Sequence, residues 1–221
     1  MHKKNIFISA IDTNTGKTIV TGLLARYFKK QGLKVITQKM VQTGGKGISD
    51  DIRMHREIMK ESLNHFDVAG ITCPYVFEYP ASPHLSAGME GKTIHTEEIY
   101  KSTRELEKNY DVVLIEGVGG LYVPLNKQQY VIDYVEEKKY PVILVTNSKL
   151  GSINHTFLSL EALKNRHIEL SGLVYNQFPA DSEIILKNTS DLFRDFLTQN
   201  NPDSWFVEIP FMKHWTDIEF F

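Results

Sequence analysis

The sequence predicts an α/β protein of three layers, in which a mostly parallel central sheet is covered by helices on both faces. Short runs rich in Val and Ile recur along the chain, and they are too continuously apolar for strands with one face in solvent. Stretches with apolar residues at helical spacing separate these runs. Right-handed crossovers between parallel strands then distribute the helices over both faces of the sheet. We expect the 221 residues to form a single domain, residues 1–221.

Six strands are predicted in chain order, each as a short apolar run. Their sequences are NIFIS, KVITQ, DVVLI, PVILVT, LSGLVY and WFVE, at residues 5–9, 34–38, 111–115, 141–146, 170–175 and 205–208. Six helices alternate with these strands, because apolar side chains recur there every three or four positions. The helical segments include residues 23–28, 52–59, 99–106, 131–135, 158–163 and 192–197. Ligands of such a sheet bind beyond the carboxyl ends of its strands, so we expect functional residues where strands end.

The composition excludes several classes of partner. Lys and Arg number 25 against 27 Asp and Glu, which leaves a formal charge of −2 and no global field that would attract nucleic acid or an anionic membrane. The single Cys73 cannot form an intrachain disulfide. No apolar run approaches the roughly 18 residues of a membrane helix. We therefore expect a cytoplasmic protein that binds neither nucleic acid nor membrane.

The segment SAIDTNTGKT follows the first predicted strand and ends like a phosphate-binding loop. Gly16 allows the backbone to approach a phosphate, Lys17 supplies a positive charge, and the Thr18 hydroxyl can ligate magnesium. An ordinary helix start, capped by Thr13 or Thr15, is the alternative. The usual loop pattern requires its first glycine at the position of Ile11, where this chain has none.

A second glycine-rich segment, VVLIEGVGGLYVPL, contains the third predicted strand and the residues after it. Glu116 follows four apolar residues, at the place where this class of protein positions the acidic partner of a magnesium site. A glycine-rich turn with a solvated Glu is the alternative. Together with the GKT ending, this carboxylate predicts a P-loop NTPase-like fold that binds a nucleotide with Mg²⁺.

Polar residues at other strand ends leave their chemistry open. Lys39 follows the second predicted strand and Asn176 follows the fifth. Taken singly, a lysine there is often a surface cation and an asparagine a turn former. Ser49 is predicted to cap a helix, with Asp50 and Asp51 in its first turn, where the helix dipole alone could explain them.

Several motifs, in this order, resemble those of the ATP-dependent dethiobiotin synthetase family. They are DTNTGKT, KMVQTGG, PASPH, IEGVGGLYVPL, PVILVTNSKLGSINH, GLVYNQ and EIPF, which span residues 7 to about 212 with their flanking positions. The combination of PASPH with KLGSINH is specific to this family, whereas GKT is shared by all P-loop proteins. The family loop is one residue longer than the standard pattern, so Ala10 takes the place of the first glycine, provided that its φ is negative.

The resemblance implies an enzyme of biotin biosynthesis that acts on 7,8-diaminononanoate. One amine captures CO₂ as a carbamate, the γ-phosphate of ATP activates that carbamate, and the neighbouring amine closes the ureido ring. Dethiobiotin, ADP and phosphate are the products. Phosphoryl transfer of this kind depends on positioning and on neutralising charge, with Mg²⁺ as the implied cofactor.

The resemblance also assigns residues to roles. Lys17 and Lys39 are the implied catalytic residues, and Thr18, Glu116 and either Asp50 or Asp51 would hold the metal, with Asp50 favoured by the family's spacing. The implied ATP-binding residues are Asn14, Thr15, Gly16, Lys17, Thr18, Ile19, Asp50, Glu116, Gly117, Val118, Gly119, Asn176, Gln177, Pro210, Phe211 and Met212. The implied substrate-binding residues are Thr43, Ser82, Gly151, Ser152, Ile153 and Asn154.

The resemblance further implies a homodimer whose active sites lie at the subunit interface. Backbone amides of Ser152, Ile153 and Asn154 begin a helix and would bind the distant carboxylate of the substrate in the partner's site. A regulatory ATPase of the partitioning or septum-site type is the alternative function. Such proteins usually carry an additional lysine early in the loop, where this chain has Ile11 or Asp12.

Overall fold

The computed structural model describes residues 4–179 and 182–210. Its main sheet contains six parallel strands in the order β2-β5-β1-β6-β7-β8. These strands are β1 (Lys4–Ala10), β2 (Val35–Lys39), β5 (Val112–Glu116), β6 (Val142–Asn147), β7 (Leu170–Asn176) and β8 (Trp205–Ile209). The six predicted strands are thereby confirmed, with ends that differ by one residue at most. Lys39 is the last residue of β2 rather than the residue after it.

Two short strands, β3 (Gln42–Thr43) and β4 (Val76–Phe77), form a separate parallel pair. The helices are α1 (Lys17–Lys30), α2 (Asp50–Met59), α3 (His65–Val68), α4 (Pro83–Met89), α5 (Thr96–Leu106), α6 (Val131–Lys138), α7 (Ser152–Asn165) and α8 (Glu183–Asn200). The six predicted helices correspond to α1, α2 and α5–α8. The remaining two helices and the short strands were not predicted, because segments of two to seven residues show too little periodicity.

Side chains of successive strand residues enter two apolar clusters on opposite faces of the main sheet. Phe7 of β1 lies in the cluster shared with α5, α6, α7 and α8. Its neighbours Ile6 and Ile8 lie in the cluster shared with α1 and α2. This alternation is expected when side chains of a strand point to opposite faces. The predicted three-layer α/β arrangement is therefore confirmed.

The sheet order brings distant polar residues to one edge. Lys39 pairs in register with Glu116 across β2 and β5, and Ile8 pairs with Glu116 across β1 and β5. The loop after β1 therefore begins beside the end of β5, at the place where the strand order reverses. Among the described residues, no helix combines the length and hydrophobicity that crossing a membrane requires.

Candidate active site

The loop between β1 and α1 has the backbone conformation that a phosphate-binding loop needs. Gly16 has φ +100°, and Asn14 also has a positive φ, of 59°. Asn is one of the few side-chain-bearing residues that adopt this left-handed region readily. Ala10 is buried as the last residue of β1 and is not among the residues with positive φ. The expectation that alanine replaces glycine there at a negative φ is confirmed.

Internal hydrogen bonds hold this loop. The Thr15 hydroxyl donates to the carbonyl oxygen of Asp12 at 2.8 Å, and Lys17 Nζ donates to the same oxygen at 3.1 Å. Asn176 Nδ2 donates to the carbonyl of Thr15 at 3.0 Å. Burial, together with the nearby charge of Lys39, lowers the pKa of Lys17 to about 8, although three carboxylates oppose the shift. Lys17 is thus a cation held at the base of the loop.

Two carboxylates meet at the first turn of α1. The Thr18 hydroxyl lies 3.0 Å from Glu116 Oε1 and 3.0 Å from Asp51 Oδ1. The geometry favours Asp51 over Asp50 as the proposed metal ligand, because Asp50 is exposed and Asp51 lies in this cluster. Ser49 caps α2 through the Ile52 amide, and this sets the direction in which each residue of the first turn points. The predicted cap is confirmed.

Lys39 joins the same cluster. Its Nζ lies 2.6 Å from Asp51 Oδ2 and 2.9 Å from Glu116 Oε1, and it donates to the carbonyl of Gly117 at 3.0 Å. Burial alone would lower the pKa of Lys39, but the two carboxylates outweigh burial and raise that pKa above its ordinary value. Lys39 therefore remains protonated although it is buried.

Glu116 is a buried carboxylate with partners on both oxygens. Its Oε2 lies 2.6 Å from Nε2 of His55, a residue that the sequence analysis did not select. Burial alone would raise the pKa of Glu116, but Lys39 and His55 outweigh it and hold that pKa far below its ordinary value. The spacing of Asp51 and His55, four residues apart on one helix, could have indicated that both face the same site.

These groups line one cavity of about 610 Å³. The predicted residues on its wall are Asn14, Gly16, Lys17, Thr18, Ile19, Lys39, Thr43, Glu116, Val118, Gly119, Asn176 and Pro210. The wall also includes Asp51, the alternative metal ligand, and five residues that the sequence did not indicate as part of a site, namely Thr13, Val41, Gln42, Phe178 and Ile209. A single cavity therefore contains both lysines, the two carboxylates and a threonine of the KMVQTGG motif.

Other predicted residues lie outside the wall of this cavity. Thr15 is fully buried behind the loop, and the Gly117 carbonyl supports Lys39. Gln177 Nε2 donates to Glu208 at 2.9 Å. Ser82 and Gly151 are the N-cap residues of α4 and α7, and Ser152, Ile153 and Asn154 are the first residues of α7. None of these five belongs to the wall. Phe211 and Met212 lie outside the described residues.

The donor set at Thr18 fits magnesium held together with a nucleotide. Within residues 4–179 and 182–210, no group of three or more His, Cys, Asp or Glu side chains could hold a metal by itself. Magnesium prefers oxygen ligands, and it usually takes one or two carboxylates, with phosphate and water oxygens completing its shell. Thr18, Asp51 and Glu116 offer such oxygens beside Lys17.

Comparison with known structures identifies proteins of the same fold. A ParA family ATPase from Chlorobium tepidum superposes with a TM-score of 0.56 at 15% identity, over 96% of this chain and 86% of that chain. A putative plasmid partition protein from Borrelia burgdorferi, bound to AMPPNP, gives a TM-score of 0.53 at 13% identity, over 96% of this chain and 89% of that chain. Identities this low indicate a shared fold and nothing further.

Sequence comparison identifies much nearer relatives. A family model described as an AAA domain matches residues 4–217. The ATP-dependent dethiobiotin synthetase BioD 2 of Pasteurella multocida is 47% identical over 203 residues, which cover 92% of this chain and 95% of that protein. The protein of the same name from Haemophilus influenzae is 52% identical over 184 residues, which cover 83% of this chain and 96% of that protein. The chain therefore belongs to the ATP-dependent dethiobiotin synthetase family.

Proposed function

We propose that this protein, as a single domain, converts 7,8-diaminononanoate, CO₂ and ATP into dethiobiotin, ADP and phosphate. The observation that carries the proposal is the convergence of Lys17, Lys39, Thr18, Asp51 and Glu116 on one cavity. A carbamate is an anion and a poor electrophile, and ATP is also an anion. A reaction between them therefore requires preorganised cations at the point where their charges meet.

Lys17 would neutralise the β- and γ-phosphates of ATP. It begins α1, where free backbone amides also point toward the loop and favour an anion. The left-handed conformation of Gly16 brings the backbone into this position without a side chain in the way. These features support ATP as the nucleotide partner, and Asn176 on the same wall would contact the adenine edge.

Lys39 would stabilise the carbamate oxygen that attacks the γ-phosphate and the phosphorylated carbamate that results. Its ammonium has three N–H donors, and acceptors from Asp51, Glu116 and Gly117 surround it. The carbamate can therefore accept a hydrogen bond from Lys39 only when it replaces one of these three acceptors. Thr43 lies on the same wall and would donate a hydrogen bond to the diamine's carbamate.

Thr18, Asp51 and Glu116 would hold Mg²⁺ through their oxygens. When bound, Mg²⁺ neutralises phosphate charge during the transfer. The second amine of the substrate then attacks the carbonyl carbon of the mixed anhydride, the bond from that carbon to the phosphorylated oxygen breaks, and phosphate leaves with the electron pair. The attacking amine loses its proton, and the cyclic urea closes.

The distant carboxylate of the substrate would be bound by a second copy of this chain. Gly151 precedes α7 with a φ of +93°, and the Ser152 amide donates to the Lys149 carbonyl at 2.9 Å. The amides of Ile153 and Asn154, in the first turn of the helix, would then bind the anion. These residues do not line the cavity that contains Lys17 and Lys39, which supports a role for them in the site of a partner chain. A homodimer that joins them is therefore part of the proposal.

The decisive assay measures ADP release by the purified protein. We expect rapid release only when ATP, bicarbonate and 7,8-diaminononanoate are all present, with dethiobiotin formed in equal amount. Omitting either the diamine or bicarbonate should return the rate to background. ADP release that is stimulated by DNA and indifferent to the diamine would contradict the proposal and favour the partitioning type of ATPase.

A further inference from the structure

His55 is fully buried and touches the site from behind. Its Nε2 lies 2.6 Å from Glu116 Oε2, and its Nδ1 lies 3.0 Å from the hydroxyl of Thr37 on β2. The other carboxylate oxygen of Glu116, Oε1, faces the Thr18 hydroxyl and Lys39 Nζ. The two oxygens of Glu116 therefore have separate partners, with His55 on one and the proposed metal and catalytic groups on the other.

The donors and acceptors in this chain of contacts can be assigned. An ionised carboxylate only accepts, so His55 Nε2 carries the hydrogen of the bond to Glu116. In the neutral ring, Nδ1 then accepts, and the Thr37 hydroxyl donates to it. Arg56 Nη1 donates to the same hydroxyl oxygen at 2.9 Å, which directs the Thr37 hydrogen toward His55. Whichever atom donates in the contact between Thr37 and Nδ1, Nε2 of His55 donates to Glu116 Oε2.

We propose that His55 is a positioning residue, oriented by Thr37, that fixes the rotation of the Glu116 carboxylate. A carboxylate can turn about its Cγ–Cδ bond, and the bond from His55 to Oε2 keeps Oε1 directed at Thr18. Partners behind a metal ligand orient it, and their loss typically weakens metal affinity about 10- to 100-fold. This inference depends on the proposed role of Glu116 in holding Mg²⁺.

Mn²⁺ binding to the ADP-bound protein provides the test, since electron paramagnetic resonance measures the free ion without any turnover. His55→Phe should weaken Mn²⁺ binding by about 10- to 100-fold, while ADP binding without metal stays near that of the parent. His55→Gln should recover most of the affinity, because its amide can still donate to Glu116 Oε2.

A matched pair of variants separates positioning from stability. Thr37→Val removes the hydroxyl that orients His55, whereas Thr103→Val removes a hydroxyl that is equally buried and bonds to Gln38 at 2.7 Å, away from Glu116. Only Thr37→Val should weaken Mn²⁺ binding, and Thr37→Ser should restore it. This pair decides the question if His55→Phe does not fold.

The outcomes are distinguishable. Parent-like Mn²⁺ affinity in both His55→Phe and Thr37→Val would overturn the positioning role while the proposed function stands. Equal losses in Thr37→Val and Thr103→Val would also overturn it, because a general packing defect would then explain both. If Glu116→Gln binds Mn²⁺ as the parent does, the metal assignment itself fails, and this inference fails with it.

Discussion

At the scale of single residues, two buried lysines on one cavity have pKa values shifted in opposite directions. Lys17 is the first residue of α1, where burial and the charge of Lys39 dominate, so its pKa falls to about 8. Lys39 has two carboxylates within hydrogen-bond distance, which outweigh its burial and raise its pKa. The ordinary pKa of lysine therefore describes neither residue, and the difference comes from which charges each one contacts.

Replacing Lys39 tests its proposed catalytic role. Lys39→Ala should reduce turnover by roughly 10²- to 10³-fold, the usual effect of losing one preorganised charge stabiliser. The affinity for magnesium-ATP should stay close to the parent value, because Lys17 and the loop are unchanged. Steady-state kinetics and nucleotide titration measure both quantities. Lys46→Ala, which removes an exposed lysine seven residues further along the chain, is the control. Equal turnover in both variants would exclude Lys39 from the mechanism.

Two variants test whether Asp50 or Asp51 binds the metal. Asp51→Asn should raise the Mg²⁺ concentration needed for half-maximal activity, since it removes charge beside Thr18. Asp50→Asn should have little effect, because Asp50 is exposed. A magnesium titration of each variant decides the assignment. The reverse ranking would restore the preference suggested by family spacing.

At the scale of elements, the phosphate loop depends on β7 as well as on its own sequence. Asn176 at the end of β7 donates to Thr15 and lies against Gly16. A Cβ atom on Gly16 would lie 2.5 Å from Asn176 Nδ2. The glycine is thus required both by its positive φ and by the close approach of a neighbouring strand.

Gly16→Ala should therefore abolish ATP binding, because both the strained φ and the contact with Asn176 displace the loop. Gly32 follows α1 with a φ of +82°, and a Cβ there would meet nothing within 4 Å. Gly32→Ala should thus lower stability by about 1 kcal/mol and leave ATP binding intact. Calorimetric titration with ATP and thermal melting compare the two. Similar ATP affinities in both variants would contradict this account of the loop.

An ion pair with α3 also holds α2 in place. Arg56 makes two hydrogen bonds of 2.9 Å to the buried Asp67 on α3. Burial alone would raise the pKa of Asp67, but the hydrogen bonds and charge of Arg56 outweigh it and lower the pKa below its ordinary value. The ion pair therefore stabilises the placement of α2, which carries Asp51 and His55.

Asp67→Asn should lower the free energy of unfolding at pH 7 by about 3 kcal/mol, because it leaves Arg56 buried without a counter-charge. A lowered carboxyl pKa gives stability that is present above the unfolded pKa and is lost as pH falls through the folded pKa. The difference between parent and variant should therefore shrink below about pH 4. Urea unfolding at several pH values measures this difference in the free energy of unfolding. Glu98→Gln, at an exposed ion pair, should show little change, and a pH-independent difference for Asp67→Asn would refute the assignment.

At the scale of the whole molecule, the two proposed substrate regions belong to different parts of the chain, and we propose that a second chain joins them. The wall of the cavity includes Lys17, Lys39 and Thr43, whereas Asn154 is exposed at the start of α7. A twofold dimer places the same surfaces of both chains against each other and creates two equal composite sites. Each site would then take its lysines from one chain and its carboxylate trap from the other.

Subunit mixing tests this arrangement. Two inactive chains, Lys39→Ala and a variant altered at Asn154, should regain about one quarter of the parent activity after complete exchange at equal concentrations. Half of the dimers are then mixed, and each mixed dimer has one site without a lesion. Activity assays before and after exchange measure the recovery. No recovery despite proven exchange would mean that each site is built within one chain.

The sequence by itself determined the features that depend on neighbouring residues. Apolar periodicity placed the six long strands and six helices, the Ser49 cap predicted the start of α2, and the GKT ending marked the phosphate loop. Glu116 and Lys39 were recognised because each stands at the end of an apolar run. Such local patterns predict structure correctly because they depend on contacts within one strand, helix or loop.

Only the tertiary structure decided which of these groups meet. Asp51 rather than Asp50 contacts Thr18, which lies 33 residues earlier in the chain, because α2 packs against α1 with Asp51 facing Thr18. His55 became visible as a partner of Glu116, and Thr37 as a partner of His55, only when α2 lay against β2. Contacts between residues distant in sequence depend on the packing of whole elements, which no local pattern encodes. The physical reason is that burial and charge act through space, so the same lysine or carboxylate changes its chemistry with its tertiary neighbours.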